Sequence, residues 1–451
     1  MNGHFNRNPP VRGGDGKTFE MKNGKKIGLS LSGGGYRATV YHLGTLQKLK
    51  DLGLLDKIDV LSTNSGGSIT GAAYGLYGHD FETFRKIIVD GVGKSVIRRL
   101  LASARFLIPA LAFACAIAAV FALLFTGFAW LSLVLLVLMV VVFLYYQYEI
   151  FPLSAIIEKI YDDFFFGGKT LCDLSAEVRI ALNATNMETG RLFTFSRERM
   201  GDSSYEYPKE EGEPIDFLQG DFPVARAVAA SACVPFLFSP VKISGAYYKV
   251  EKDIQRAQPR LVDGGVYDNQ GVHKLTQKES DYGCDIIIVS DAGHKLPFKN
   301  SYKNVFPLLI RVSDLFMNRI SNLQMINLIF NPYIQKEAAY QSLGWDLDRS
   351  IPEFAENLLR GFISKEVIRA HKIPEDLIAQ GKKDLIIEYL KDRIGFQKLK
   401  EQENSKEELA KARAIGTNLT ALSEHQIQVL VNHSGLLTEL NLRLNCPSLF
   451  K

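Results

Sequence analysis

Short apolar runs, each followed by a helical pattern, dominate the chain from residue 25 onward. Ile27–Leu31 predicts a buried strand, three glycines follow it, and residues 38–52 predict a helix. Residues 58–61 predict a second strand, and residues 69–76 predict a helix rich in small residues. This alternation of strand and helix is typical of an α/β fold whose sheet begins with parallel strands.

Later apolar runs extend the same sheet. Residues 176–182 and 192–195 predict two strands joined by a hairpin, and residues 260–262 predict another short strand. Residues 285–293 predict a buried strand with a polar end, which is again typical of a parallel sheet. From about residue 302 the pattern is helical, with apolar residues at helical spacing over residues 308–330.

One long segment, residues 106–148, contains no charged residue. As a single helix it would measure about 60 Å, which is twice the hydrocarbon thickness of a bilayer. We therefore predict two membrane spans, residues 106–125 and 128–147, with a break at Thr126 and Gly127. A pair of helices buried in a soluble core or at an oligomer interface is the alternative interpretation.

The flanks of this segment fit a membrane hairpin. Three arginines lie at its entry, a tryptophan near its turn and three tyrosines at its exit: Arg98, Arg99, Arg105, Trp130, Tyr145, Tyr146 and Tyr148. We therefore divide the chain into a polar, flexible tail, a split α/β domain, an inserted hairpin and a mainly helical region. The tail is residues 1–24, the α/β domain 25–97 and 150–300, the hairpin 98–149 and the helical region 301–451.

Composition narrows the classes of function. The formal net charge is +4, with acidic and basic residues interspersed, so we expect no nucleic-acid partner. The five cysteines lie far apart without CxxC spacing, which predicts neither a disulfide framework nor a zinc site and favours a reducing compartment. The polar first residues lack the apolar core of a secretory signal.

Ser65 lies in the sequence TNSGGS, between the predicted second strand and the small-residue helix. A sharp turn from strand to helix lifts a serine hydroxyl off the sheet, as in the nucleophile elbow G-x-S-x-G. Gly67 matches the second glycine of that pattern, whereas Thr63 replaces the first and needs space where strand and helix meet. An ordinary Gly/Ser turn is the alternative.

Gly33, Gly34 and Gly35 form a glycine loop between the first strand and the first helix. Their backbone N–H groups can bind a phosphate or stabilise an oxyanion. The run GGGYRA also fits the dinucleotide pattern G-x-G-x-x-A, with Ala38 in the last place, but the acidic residue expected at the end of the second strand is missing. A purely structural glycine turn is the third interpretation.

Asp263 precedes two glycines in the sequence DGGVYDN. A carboxylate in a tight turn is held rigidly, although an ordinary Asx turn is the alternative. None of the eight histidines lies in a turn motif that predicts a catalytic triad, and a carboxylate can serve directly as the base if it is oriented against a serine hydroxyl. Ser231 is expected to be a packing residue and not a second nucleophile.

Four motifs in this order, SGGGYRA, TNSGGS, AVAASACVPFLFSPV and DGGVYDN, resemble the patatin-like phospholipases. The late segment ARAIGTNLTAL is similar to a stretch that is common after the catalytic core of that family. The resemblance covers roughly residues 25–293, apart from the apolar insertion.

This resemblance implies a Ser-Asp dyad. Ser65 would be the nucleophile that forms an acyl-enzyme, and Asp263 the base that activates first the serine and then water. The amides of Gly33, Gly34 and Gly35 would form the oxyanion hole. Arg37 would favour anionic headgroups or hold the loop.

The resemblance also implies a three-layer α/β/α sandwich with a mainly parallel sheet, and no metal or cofactor. The expected function is a membrane-associated lipid acyl hydrolase acting on fatty-acyl esters of phospholipids. The alternatives are an acylglycerol lipase of the same fold, a nucleotide-binding membrane protein that uses Gly33–Gly35, or a catalytically silent scaffold.

The insertion lies between Ser65 and Asp263 in the sequence. Both residues must reach one active site, so the chain must cross the bilayer an even number of times. A hairpin satisfies this condition and a single span does not. We expect an integral membrane protein with its catalytic domain in the cytosol and membrane lipid as its substrate.

Overall fold

The computed structural model describes residues 24–208, 212–277, 280–293, 304–329 and 337–450. Most of the predicted tail therefore lies outside the described residues, as does residue 330 at the end of one predicted helix. Within the described ranges the strands form one sheet. They are β1 Ile27–Leu31, β2 Val60–Asn64, β3 Arg179–Asn186, β4 Arg191–Phe195, β5 Met200–Gly201, β6 Val241–Lys242, β7 Arg260–Asp263, β8 Ile286–Asp291 and β9 Glu337–Ser342.

The α-helices run before, between and after these strands. Those up to the apolar hairpin are α1 Gly35–Asp51, α2 Gly66–Tyr77, α3 Phe81–Val92, α4 Val96–Leu101, α5 Ala104–Leu123 and α6 Ala129–Ile150. The next are α7 Leu153–Tyr161, α8 Ser203–Glu206, α9 Val224–Ser231, α10 Asp253–Arg256, α11 Gly265–Asp268, α12 Val272–Thr276 and α13 Val305–Gln324. The last are α14 Leu347–Leu359, α15 Lys365–His371, α16 Glu375–Ala379, α17 Lys383–Ile394, α18 Phe396–Lys400, α19 Lys406–Arg413 and α20 Glu424–Asn445.

The sheet is mixed. Its centre is parallel, in the order β3-β2-β1-β8-β9, as the strand and helix alternation predicts. Antiparallel strands β4 and β5 extend one edge, while β7 pairs antiparallel with β3 and with β6. The expectation of a mainly parallel sheet therefore describes the five central strands only.

Strand β3 aligns two other strands end to end. Its first half pairs with β2, which ends where Asn64 lies opposite Asn183. Its second half pairs with β7, which runs in the opposite direction and ends where Asp263 lies opposite Ala184. The carboxyl ends of β2 and β7 therefore meet at two consecutive residues of β3.

Apolar side chains cover both faces of the central strands. Leu29 and Leu31 of β1 belong to the large core that includes side chains of α1, α2, α9 and α20. Ile287 and Val289 of β8 point to a second core that includes Val272 of α12. Strands buried on both faces read as continuous apolar runs, which explains why β1 was recognisable in the sequence.

The uncharged segment forms an antiparallel pair of helices, α5 and α6, joined by residues 124–128, so the break predicted at Thr126 and Gly127 is observed. Ser132 donates a hydrogen bond to the carbonyl of Val120 (3.0 Å) across the pair. Both helices are long and apolar enough to cross a membrane, by length and composition. The alternative of burial in a soluble core does not describe them, because 0% and 6% of their most apolar stretches are buried.

The region after residue 301 is not wholly helical. Strand β9 joins the sheet beside β8, although its sequence, EAAYQS, contains several good helix formers. Helices α14, α17 and α20 enclose a separate apolar cluster. Helix α20 also packs along α1, so the region extends back to the start of the fold.

Candidate active site

Ser65 occupies a strained turn between β2 and α2. Its backbone angles are φ 48° and ψ −119°, a region that residues other than glycine rarely adopt. Its amide donates to the hydroxyl of Ser231 (2.9 Å), and only 8% of the residue is exposed. This is the geometry of the predicted nucleophile elbow.

Thr63, the departure from the elbow pattern, is accommodated by a glycine on the facing helix. Its buried hydroxyl donates to the carbonyl of Ala181 (3.2 Å) and shares a hydrogen bond with Ser68 (2.9 Å). Its methyl group faces Gly71 of α2, where a Cβ atom would lie 2.5 Å from Thr63 Cγ2. Because Gly71 has no side chain, α2 leaves the space that the side chain of Thr63 needs.

Asp263 ends β7 and faces Ser65. Its carboxylate accepts a hydrogen bond from the Gly265 amide (2.7 Å), and the Ser65 side chain lies close enough to influence its ionisation. Burial raises the pKa of Asp263 to about 6, although the Gly265 amide and the Ser65 side chain oppose that rise. The structure therefore brings together the two residues that the sequence analysis named as a dyad.

Ser231, expected only to pack, links the two halves of the site. Its hydroxyl accepts from the Ser65 amide and shares a hydrogen bond with Ser68 (2.8 Å). Its carbonyl accepts from the Gly264 amide (3.1 Å), next to Asp263. Ser231 is fully buried and acts as a positioning residue. Its place in the small-residue run that resembles the family was the available signal.

The glycine loop lies against the elbow, since a Cβ atom at Gly33 would be 3.2 Å from that of Ser65. Gly34 and Gly35 have φ angles of 144° and 60°, which favour glycine. The Gly33 amide donates to the carbonyl of Asn269 (2.9 Å). The amides of Gly34 and Gly35 donate to no acceptor within the part of the chain that the structure describes, so two of the three predicted N–H groups are available.

Arg37 is buried and points away from solvent. Its guanidinium donates to the carbonyl of Ile415 (2.6 Å) and the hydroxyl of Thr417 (3.3 Å). Burial lowers the pKa of Arg37 to about 10, which leaves it charged at neutral pH. Of the two roles considered for Arg37, the contacts favour holding the loop.

We call residues 415–422 the C-terminal strap. The carbonyl of Asn418 accepts from the Tyr36 amide (3.0 Å) and would lie 2.4 Å from a Cβ atom at Gly35. The strap also bonds to the chain just before the hairpin, since Val96 donates to Leu419 and Leu422 donates to Val92, both at 3.0 Å. This segment contains the stretch that resembles the family's sequence after the catalytic core, and its contacts were not predictable from that resemblance.

Titratable groups elsewhere around the site have structural partners. Asp268 is buried, which raises its pKa to about 6, and its carboxylate accepts from the amides of Gln270, Gly271 and His273. His42 bridges Ser290 and the carbonyl of Ser32, and burial lowers its pKa to about 4. Across the described ranges, no group of three or more His, Cys, Asp or Glu residues is placed to hold a metal ion.

A comparison with protein-family models covers this region of the chain. The family model for patatin-like phospholipase matches residues 29–276, which is more than half of the chain and includes Ser65, Asp263 and the glycine loop. The chain belongs to the patatin-like phospholipase family. Family membership supports lipid acyl hydrolysis as its general class of activity.

Two solved structures are similar at low identity. Human GIVD cytosolic phospholipase A2 is 14% identical with a TM-score of 0.35, and the match covers 58% of this chain and 42% of the human chain. VipD from Legionella pneumophila is 13% identical with a TM-score of 0.32, covering 92% of this chain and 91% of VipD. No curated protein sequence matches the chain significantly.

The packing of Thr63 against Gly71 gives a first prediction. The Gly71→Ala variant places a Cβ atom against Thr63 Cγ2, and overpacking of this kind costs about 1–3 kcal/mol. We expect a lower Tm and reduced activity. Thr63→Ser removes the methyl group and keeps the hydroxyl, so it should restore most of the lost stability. A double variant no more stable than Gly71→Ala would contradict this account.

The contacts of Arg37 give a second prediction. Lysine keeps the charge but cannot reach both Ile415 and Thr417 with one planar fork. We expect Arg37→Lys to lower kcat roughly tenfold to a hundredfold by displacing the glycine loop, with little change in KM. The loss should be equal on vesicles of anionic and of zwitterionic phospholipid. A loss confined to anionic vesicles would instead assign Arg37 to headgroup binding.

Proposed function

We propose that this protein is a membrane-bound enzyme that cleaves fatty-acyl esters of phospholipids through a Ser65–Asp263 dyad. The observation that carries the proposal is the position of the Ser65 side chain beside the buried carboxylate of Asp263, close enough to lower its pKa. A serine held at a strained turn against a carboxylate has a base that can take its proton, which a nucleophile requires.

In the first half-reaction Asp263 accepts the hydroxyl proton while Ser65 Oγ bonds to the ester carbonyl carbon. The negative charge that develops on the carbonyl oxygen is stabilised by the amides of Gly34 and Gly35. The amide of Gly33, which donates to Asn269, supports the loop instead. Collapse of this intermediate breaks the ester bond, and the leaving lysolipid alcohol takes the proton from Asp263.

In the second half-reaction Asp263 accepts a proton from water, and the oxygen attacks the acyl-enzyme. The intermediate collapses to a fatty acid and Ser65 regains its proton. A carboxylate with a pKa of about 6 suits both steps, because it is mostly ionised at neutral pH and is a stronger base than an ordinary aspartate.

The hairpin α5–α6 would hold this site at the bilayer. Phe106 at its entry lies against Phe151 at its exit, with ring centroids 5.5 Å apart, so both ends leave the α/β domain together. A bilayer crossed twice keeps Ser65 and Asp263 on one side. Arg98, Arg99 and other basic residues at the entry favour the cytosol for that side.

A nucleotide at the glycine loop is less compatible with the contacts. A phosphate at the start of α1 would need first-turn amides, yet the Tyr36 amide donates to the carbonyl of Asn418. An acylglycerol lipase would use the same dyad. Hydrolysis rates on phospholipids and on acylglycerols therefore distinguish the two functions.

Loss of the dyad is the direct test. We expect Ser65→Ala and Asp263→Asn each to reduce fatty-acid release by about a thousandfold or more, measured on phospholipid vesicles and on acylglycerols with detergent-purified protein. Asp216→Asn is the matched control, because Asp216 is an exposed surface aspartate paired with Lys249. Undiminished release by the Ser65→Ala variant would reject the mechanism.

The pKa of Asp263 sets the acid limit of activity. We expect kcat to fall below about pH 6 as the carboxylate becomes protonated. The pKa in the folded protein is above the ordinary value of 3.8, so ionisation is disfavoured by folding. Relative to Asp263→Asn, the wild type should therefore lose stability as pH rises from 3.8 to about 6. Equal pH dependence of Tm in the two proteins would contradict the raised pKa.

A further inference from the structure

Helix α13 lies directly beside the proposed base. Its Met317 methyl group would be 2.7 Å from a Cβ atom at Gly265, the residue whose amide donates to the Asp263 carboxylate. Ser65 is 8% exposed and Asp263 4% exposed. Both residues are therefore largely covered in this structure.

The two faces of α13 differ from those of an ordinary surface helix. None of its described side chains is fully buried, and the partly buried ones form the inner face. These inner residues are Ile310, Arg311, Ser313, Met317, Asn318, Ile320, Ser321 and Gln324. The outer face carries an exposed apolar stripe at helical spacing: Leu308, Leu309, Val312, Leu315, Phe316 and Leu323. Soluble helices normally place polar residues there.

Hydrogen bonds also connect the segment that follows the hairpin to Asp263. Ser154, which follows the hairpin, donates to the carbonyl of Ser239, and so does Cys233 (3.1 Å). The carbonyl of Cys233 in turn accepts from the Asp263 amide (2.8 Å). The turn between Cys233 and Ser239 exposes Phe236, which has a φ of 69°.

These contacts form a continuous series from the hairpin to α13. It runs from Ser154 through the apolar turn at Phe236 to Asp263, Gly265 and Met317. The hairpin and the stripe of α13 are thus two exposed apolar surfaces that are both linked to the residues around Asp263. The aliphatic and aromatic side chains of that stripe match lipid chains and headgroup boundaries in chemistry.

We propose that α13 is an interfacial helix whose outer stripe binds the lipid surface and whose inner face covers the dyad until it does so. Insertion of the stripe draws Met317 away from Gly265 and opens a path for the substrate ester. This inference rests on the function proposed above, and its occupant is the bilayer in which the hairpin lies.

The first test measures insertion without catalysis. Phe316→Trp is made in a Ser65→Ala, Trp130→Phe background and reconstituted into phosphatidylcholine vesicles that carry bromine on their acyl chains. The only other tryptophan is then Trp345. We expect a blue shift and at least twofold quenching of the added fluorophore. The Ser65→Ala protein with Trp130 intact reports on insertion of the hairpin in the same vesicles.

The second test separates the two faces by activity. Phe316→Asp should reduce hydrolysis in vesicles by about tenfold and leave hydrolysis of a water-soluble short-chain ester unchanged. Met317→Ala should raise hydrolysis of the soluble ester several-fold, because it removes the contact that covers Gly265. Leu385→Asp is the matched control, since Leu385 is an exposed apolar residue on α17. It should change neither rate.

The outcomes separate the two proposals. Quenching at Trp130 without quenching at position 316 overturns the role of α13 and leaves the hairpin and the dyad in place. Equal effects of Phe316→Asp on vesicles and on the soluble ester also overturn it, because they indicate a folding defect. Soluble-ester hydrolysis that persists in Ser65→Ala rejects the proposed function itself, whatever α13 does.

Discussion

The pairing of β3 with both β2 and β7 is the constraint on which the candidate site depends. Asn64 and Asp263 lie opposite consecutive residues of β3, Asn183 and Ala184, so the residue after β2 is placed against the last residue of β7. Backbone hydrogen bonds fix this register, and a slip of one residue would turn every side chain of a strand to the other face. The sheet thus brings the two residues of the proposed dyad together, although almost two hundred residues and the hairpin separate them in sequence.

Two features of the candidate site lower the stability of the folded protein. The positive φ of Ser65 and the buried carboxylate of Asp263 are both unfavourable and persist only when their surroundings determine them. Ser231 helps to hold both residues in place. Its hydroxyl accepts a hydrogen bond from the Ser65 amide, and its carbonyl accepts one from the Gly264 amide, next to Asp263. The hydroxyls of Thr63 and Ser68 continue the network toward β3.

Features that local patterns encode were predictable from the sequence. Strand β1 was predicted with its observed bounds, the hairpin break was placed at Thr126 and Gly127, and the elbow was located at Ser65. Strand β9 was missed because its sequence favours a helix and only its neighbour β8 makes it a strand. The contacts of the Gly33 amide and of Arg37 were out of reach, since their partners, Asn269 and Ile415, lie hundreds of residues away along the chain.

The C-terminal strap has a consequence for the order in which the protein becomes active during its synthesis. The glycine loop is held by the carbonyl of Asn418 and by the strap atoms that bind Arg37. A nascent chain that ends before this segment contains Ser65, the hairpin and Asp263, but its loop lacks these supports. The hairpin leaves the ribosome long before the strap does, so the proposed membrane anchor is made before the site is complete. The proposed lipid hydrolase would thus remain latent until the strap has been synthesised and has bound the glycine loop.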